Sequence, residues 1–491
     1  MRPMARARAV RPRTACRPRL LAAGASLALC ALAAGLAVQG AVQASAGACW
    51  LGATRRHPWA QAQAHGGARP LPRARGAGWV TRRALPTAAA APPTWEQLAT
   101  RVAPDSRPEP LLTLYRDTNG WCPFCERVWI ALREKGIPYD EVLINLYDKP
   151  QWYKDMVPTS LVPAVKFASS GEVVWESEAI LRRLDSEFPE SRPLFAEPAR
   201  VEAAAELPAK VMNASMGLAY RTGDLQEESL EDRRAKLASA IDSLEEHLAG
   251  GGPFLLGKEL SAADLMAVPM LERYGFQLPY FAAELQIRDP ARWPAIAGWF
   301  DAMEARPAYS ERVVGDEYSW TAVAPVLMRI FSGQNGTLEG PAAARAQVAD
   351  AAAANILESL EENAEVLLSG APKSARLEAA EKLLANHEAV VDDATALEPK
   401  SQKELLRLDP SKRLTVDAVL RAAAGVLLSG EKPGDAAPRE DSEGAGLQPA
   451  DVSAACRYIA ARLCAPRDMS APAATALRAA LLGMARAVVL H

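Results

Sequence analysis

Leu111-Leu112-Thr113-Leu114-Tyr115, followed six residues later by Cys122-Pro123-Phe124-Cys125, decides the fold of this 491-residue chain. The first stretch reads as a buried strand, and Arg116 to Trp121 as a loop turning at Asn119-Gly120. Pro123 suits the first turn of a helix, where a missing N–H costs nothing. Val128, Ile130, Ala131 and Leu132 then begin its apolar stripe. A thiol at a helix N-terminus faces unpaired N–H groups and the positive end of the helix dipole, the environment of nucleophilic thiolates. Cys122 is therefore expected to be the nucleophile. Cys125, one turn further in, is a candidate resolving thiol.

The elements downstream follow in register. Residues 123–135 read as a helix ended by Gly136-Ile137-Pro138, and Tyr139 to Leu146 as a second strand. A polar, aromatic stretch, Lys149 to Lys154, separates it from Val162-Pro163 and a strand at 164–167. A turn at Gly171, a strand at 173–175 and a helix at 177–187 complete the order βαβαββα, that of a thioredoxin-like α/β domain. Such a domain holds a cis-proline before its third strand, a position that Pro163 fills.

Composition divides the chain sharply. Residues 1–95 contain fourteen arginines and no lysine, aspartate or glutamate; the remainder carries 42 basic against 59 acidic residues. That acidic remainder argues against nucleic acid as a partner. Seven arginines up to Arg19, an uncharged stretch from Leu20 to Val38 and the small residues Ala44-Ser45-Ala46 read as a signal peptide. Residues 47–95 are Arg- and Ala-rich like a transit peptide. Together, residues 1–95 resemble the bipartite leader of plastid proteins, with a mitochondrial address as the alternative and no permanent membrane span expected. Of the seven cysteines, Cys16, Cys30 and Cys49 fall in this leader, and Cys456 and Cys464 lie eight residues apart on an expected helix. No disulfide framework and no metal-ligand spacing emerges.

From about 200 the pattern is wholly helical. Arg200–Tyr220 and Leu230–Leu248 are amphipathic, and Ser261-Ala262-Ala263-Asp264 is a capping box with Asp in place of Glu. Trp293-Pro294 opens a last helix. The Cys-Pro-Phe-Cys helix, Val162-Pro163, Glu176-Ser177 at a helix start and a Ser-x-x-Asp helical domain, in this order, resemble the glutathione transferase superfamily. The likeness is to its cysteine-type members (omega, lambda and dehydroascorbate reductase), and Lys149-Pro150-Gln151-Trp152 resembles a stretch of the last group. The pattern departs from these classes at Cys125, where Ala or Ser is usual, which leaves a dithiol cycle open.

This resemblance implies a thioredoxin-like domain at 108–190, an all-α glutathione transferase C-terminal domain at 198–318 and a linker at 319–340. An all-α extension follows at 341–491. In it Val366-Leu367-Leu368-Ser369-Gly370 recurs as Val426-Leu427-Leu428-Ser429-Gly430, which suggests a duplicated helical pair folding as a separate module. The resemblance also implies glutathione as co-substrate and no metal. Pro123 and Phe124 would shape the site, and the Val162 backbone beside Pro163 would pair with the cysteinyl moiety. Glu176 and Ser177 would hold the γ-glutamyl end, and Lys149 the glycyl carboxylate. The expected activity is thiol transfer: disulfide reduction, deglutathionylation or dehydroascorbate reduction. The alternative is a glutathione-binding module acting as an interaction scaffold through residues 341–491. A monomer or homodimer is expected, with a substrate pocket lined by Met212, Met216, Tyr220 and Tyr274.

Overall fold

The computed structural model describes residues 92–102, 108–220, 229–331, 337–396, 407–438 and 447–490. A short helix α1 (Trp95–Ala99) precedes the α/β domain. That domain comprises β1 (Leu112–Asp117), α2 (Pro123–Glu134), β2 (Tyr139–Ile144), α3 (Gln151–Met156), β3 (Ala164–Phe167), β4 (Val173–Trp175) and α4 (Ser177–Glu187). The sheet order is β2-β1-β3-β4, with β2 parallel to β1 and the other pairs antiparallel. This is the thioredoxin-like arrangement. Leu112 and Leu114 on β1 and Val165 and Phe167 on β3 are buried against Val128, Trp129 and Leu132 of α2. Gly136 ends α2 in a left-handed conformation at φ +66°, and the Ile137 amide reaches back to the Leu132 carbonyl at 3.0 Å. That geometry favours glycine over any side chain. Strand β2 stops two residues short of the expected Leu146 because Asn145 Oδ1 accepts from the Tyr147 amide at 3.0 Å and turns the chain.

The helical domain contains α5 (Pro198–Ala219), α6 (Leu230–Ala249), α7 (Ala262–Phe281), α8 (Pro294–Glu304), the one-turn α9 (Pro307–Ser310) and α10 (Glu317–Phe331). The expected capping box forms: Asp264 Oδ2 accepts from the Ser261 amide at 2.9 Å. The stretch 319–340, expected to be a linker, instead carries most of α10. Trp320, Val323, Ala324 and Met328 are buried in the same core as α7, so tertiary packing carries the helix through Pro325.

Beyond it lie α11 (Gly340–Glu362), α12 (Ala364–Gly370), α13 (Lys373–Ala394), α14 (Arg413–Ser429), α15 (Pro433–Ala436), α16 (Pro449–Arg462) and α17 (Ala471–Leu490). Helix α17 is long and apolar enough to cross a membrane, but 67% of its apolar window is buried. Ala473, Leu477, Ala480, Leu481 and Met484 help form the bundle core. The two Val-Leu-Leu-Ser-Gly copies meet different surroundings: Val366 on α12 is 72% exposed, whereas Val426 on α14 is buried. Residues 92–95, which composition assigns to the leader, pack onto this bundle. Trp95 stacks on His387 with ring centres 4.0 Å apart, and Arg421 donates to the Pro92 carbonyl at 3.1 Å. The rest of the leader lies outside the described residues.

Two buried guanidinium groups join the three parts. Arg478 on α17 pairs with Asp316 at 2.5 Å and donates to the Leu463 carbonyl at 2.7 Å and to Ser319 at 3.2 Å. It thereby locks the extension to the start of α10. Tyr318 adds a hydrogen bond to the Ala461 carbonyl at 2.9 Å, and the Ala465 amide donates to Ser319 at 2.9 Å. Arg273 on α7 lies 2.9 Å from Glu126 on α2, donates to the Trp121 carbonyl at 3.0 Å and stacks over Trp320 at 4.2 Å. Its neighbour Glu272 accepts from the Gly315 amide at 2.7 Å, from Tyr309 and from the Trp320 indole. Glu126 has no such donors; neither of its oxygens accepts an aligned hydrogen bond. Burial, with Glu272 nearby, pushes its carboxyl up to about 8, so the proton settles on Glu126 and the charge on Glu272.

Two consequences are testable. Removing one partner of a buried ion pair costs about 3–5 kcal/mol, so Arg478→Ala should lower stability by about that amount in urea unfolding. A loss near zero would mean the extension is not locked to α10. Glu126 is protonated in the native state up to about pH 8 but ionises from about 4.5 when unfolded. Native stability should therefore fall as pH rises through that window. Glu126→Gln, neutral throughout, should gain on the wild type as pH rises; parallel stability curves would contradict the assignment.

Candidate active site

The site grows from the β1–α2 junction. Cys122 is the N-cap of α2, with Pro123 at the first helical position and the Glu126 amide donating to the Cys122 carbonyl at 3.1 Å. The Phe124 and Cys125 amides belong to the first turn, whose N–H groups have no partner within the helix. Cys122 is half-buried, and its Sγ lies 3.9 Å from the Val162 carbonyl oxygen. Cys125 is 1% exposed, and burial pushes its thiol well up, with Cys122 and Asp117 adding to the rise. One turn of helix thus separates an accessible thiol from an occluded one.

Several groups position Cys122. Asp117, the last residue of β1, accepts from the Trp121 amide at 2.8 Å, while Arg273 holds the Trp121 carbonyl. Trp121, the residue before Cys122, is clamped at both its N–H and its C=O. The Val162–Pro163 bond is cis, as expected. The preceding Leu161 carbonyl accepts from the buried Tyr153 hydroxyl at 2.7 Å, so α3 anchors the loop that faces the sulfur.

Positive charge surrounds the thiol. Lys149 is half-buried, and burial lowers its ammonium while the charge of Cys122 holds it up, which places it within electrostatic reach of the sulfur. Arg127 also feels the Cys122 charge, stacks over the Phe124 ring at 4.9 Å and donates to the Met266 carbonyl at 3.2 Å. The β3–β4 ladder begins at Ala164 opposite Trp175, so Glu176 and Ser177 follow immediately beside Pro163. Glu176 is exposed and takes φ +67°, uncommon for a residue with a side chain and most frequent at functional sites. Ser177 opens α4 and is buried.

The structure therefore places Cys122, Pro123, Phe124, Cys125, Lys149, Val162, Pro163, Glu176 and Ser177 along one edge of the α/β domain. It does not place Tyr220 and Tyr274 in a pocket. Both are buried, with ring centres 6.2 Å apart; Tyr220 bonds Gln277, and Tyr274 donates to the Met212 carbonyl at 3.4 Å. They are core. Met212 and Met216 are partly buried against the same core. Asp117, Arg127, Tyr153 and Arg273 escaped the sequence reading. The acid at the end of the strand that leads to Cys122 was the signal for Asp117; Arg273 lies 152 residues from the carbonyl it holds and gave none.

Comparison with known proteins agrees with this construction. The family model "Glutathione S-transferase, N-terminal domain" matches residues 121–187, and "Glutathione S-transferase, C-terminal domain" matches 227–302. "Glutathione S-transferase DHAR2" of Arabidopsis thaliana is 35% identical over 157 residues, 32% of this chain and 68% of that protein. "Glutathione S-transferase DHAR3, chloroplastic" of the same plant is 30% identical over 164 residues, 33% of this chain and 58% of that protein. "Glutathione S-transferase omega-1" of Mus musculus is 28% identical over 219 residues, covering 43% and 84%. With both domain models matched in order, and 35% identity across two thirds of a plant relative, the chain belongs to the glutathione transferase family.

Proposed function

We propose that the chain is a glutathione-dependent thiol transferase of the dehydroascorbate-reductase or omega kind, acting through Cys122. The observation that carries this reading is an accessible thiol at a helix N-terminus, flanked by Lys149 and Arg127, with its neighbour Cys125 occluded. A hydroxyl there would only stabilise a glutathione thiolate by a hydrogen bond. A cysteine thiolate instead attacks sulfur.

In the first step Cys122 Sγ bonds to the glutathionyl sulfur of a mixed disulfide. The old S–S bond breaks, and its electron pair leaves on the substrate thiolate. A glutathione thiolate then attacks the Cys122–glutathione bond, releases glutathione disulfide and restores Cys122. Cys125 offers a second exit by displacing glutathione to form a Cys122–Cys125 disulfide, which further glutathione reduces. Its occlusion makes this the slower path.

Glutathione would lie along the edge described above. The Val162 N–H and C=O would pair with its cysteinyl backbone. Ser177 and the first amides of α4 would hold the γ-glutamyl carboxylate, Glu176 the ammonium, and Lys149 the glycyl carboxylate. Pro123 and Phe124 would form the wall beside the thiol. A plastid address for residues 1–95 forms part of the proposal, in keeping with the chloroplastic relative.

Two measurements test this. Iodoacetamide at mildly acidic pH should label Cys122 well ahead of Cys125; preferential labelling of Cys125 would reverse the assignment. In a reductase-coupled assay with a disulfide substrate, turnover should far exceed conjugation of an aromatic halide. Cys122→Ser should invert that ratio, whereas equal conjugation by both proteins would argue against the cysteine mechanism.

A further inference from the structure

Asp117, Cys122 and Cys125 each present one ligand atom, and the three atoms lie within 4.8 Å of one another. Asp117 is 1% exposed; one carboxylate oxygen is held by the Trp121 amide, and the other, Oδ1, has no hydrogen-bond partner. A buried carboxylate oxygen without a partner is costly and calls for an explanation. Here it belongs to the same cluster as two sulfurs. Among the described residues no other group of three His, Cys, Asp or Glu is so placed.

We propose that Asp117, Cys122 and Cys125 form a binding site for a soft divalent cation, Zn2+ or Cd2+, whose occupancy competes with the chemistry of Cys122. Two thiolates and a carboxylate are a donor set such ions accept. In tetrahedral coordination at ~2.3 Å from sulfur, neighbouring ligand atoms lie ~3.7 Å apart, so the cluster need contract by no more than about 1 Å. The Trp121 amide already orients the carboxylate, as an outer partner orients a metal ligand. Asp117 and Cys125 close the site from behind, while the half-buried Cys122 leaves the fourth position open toward the cleft.

Lys149 and Arg127 oppose the incoming charge, but three anionic ligands outweigh them at contact distance. Binding involves no electron transfer: each sulfur coordinates as thiolate, and any proton it carried leaves to solvent. The proposal is independent of the thiol-transfer reading because it is read by metal binding and not by turnover.

The test uses the full chain with Cys16, Cys30 and Cys49 changed to Ser, reduced and freed of metal. Cd2+ is titrated while the ultraviolet thiolate-to-cadmium charge-transfer band is followed, with the Cys122→Ser/Cys125→Ser double variant as blank. One Cd2+ per chain should bind with the intensity of two thiolates, be displaced by Zn2+ and protect Cys122 from iodoacetamide. Each single Cys→Ser change should halve the band. Asp117→Asn should weaken binding by at least the roughly 10–100-fold that loss of an outer partner costs. An unchanged affinity in Asp117→Asn, or no saturable band in the parent, would overturn the site. If Asp117→Asn does not fold, Cys125→Ser decides: an undiminished two-thiolate band there would equally overturn it.

Discussion

Everything at the centre of this protein hangs on the buried guanidinium of Arg273. It holds the carbonyl of the residue before Cys122, neutralises the Glu126–Glu272 pair together with a single proton, and stacks on Trp320 of α10. One side chain from the helical domain thereby fixes where α2 of the other domain begins. Trp121 is gripped from the second side by Asp117, which helps to fix the place of Cys122. Removing the guanidinium would leave the Trp121 carbonyl and the Glu126 carboxyl without their partner inside the core and Glu272 without its counter-charge, a change that is severe wherever it occurs.

The proposed chemistry follows from a contrast between two cysteines three residues apart, about 4.5 Å of rise along one helix. At the N-cap, Cys122 is half-buried beside the unpaired amides of the first helical turn. One turn in, desolvation favours the neutral thiol, and the buried Asp117 reinforces it. The same Asp117 that holds the Trp121 amide also lies in the cluster with the two sulfurs, and its Oδ1 has no hydrogen-bond partner. On the proposed readings, the placement of Cys122 and the affinity for a thiophilic cation both draw on this one carboxylate.

Much of the fold was legible because its signals are local. The strand-loop-proline-helix grammar around Cys122, the Val162-Pro163 step and the Ser261 capping box are each set within a few residues. What the sequence concealed depends on distant partners. Helix α10 read as linker because its apolar residues gain meaning only against α7 and the extension. Tyr220 and Tyr274 show the converse, since aromatic residues at helical spacing look alike in a pocket wall and in a core. The extension read as a separate module because repeat and composition say nothing of Arg478 reaching Asp316, 162 residues away. In the site, the residues proposed for thiol chemistry and glutathione stand in short local motifs, whereas Asp117 and the distant Arg273, which hold Trp121 beside Cys122, were not read from the sequence.

The central claim is that Cys122 carries glutathione during the reaction. It is tested most directly by treating the wild type, Cys122→Ser and Cys125→Ser with oxidised glutathione and mapping the adducts by peptide mass spectrometry. The account predicts a stable glutathionyl group on Cys122 in the Cys125→Ser protein and none on Cys125 when Cys122 is replaced. A glutathionyl group on Cys125 in the Cys122→Ser protein, or none on Cys122 in either protein that retains it, would contradict it.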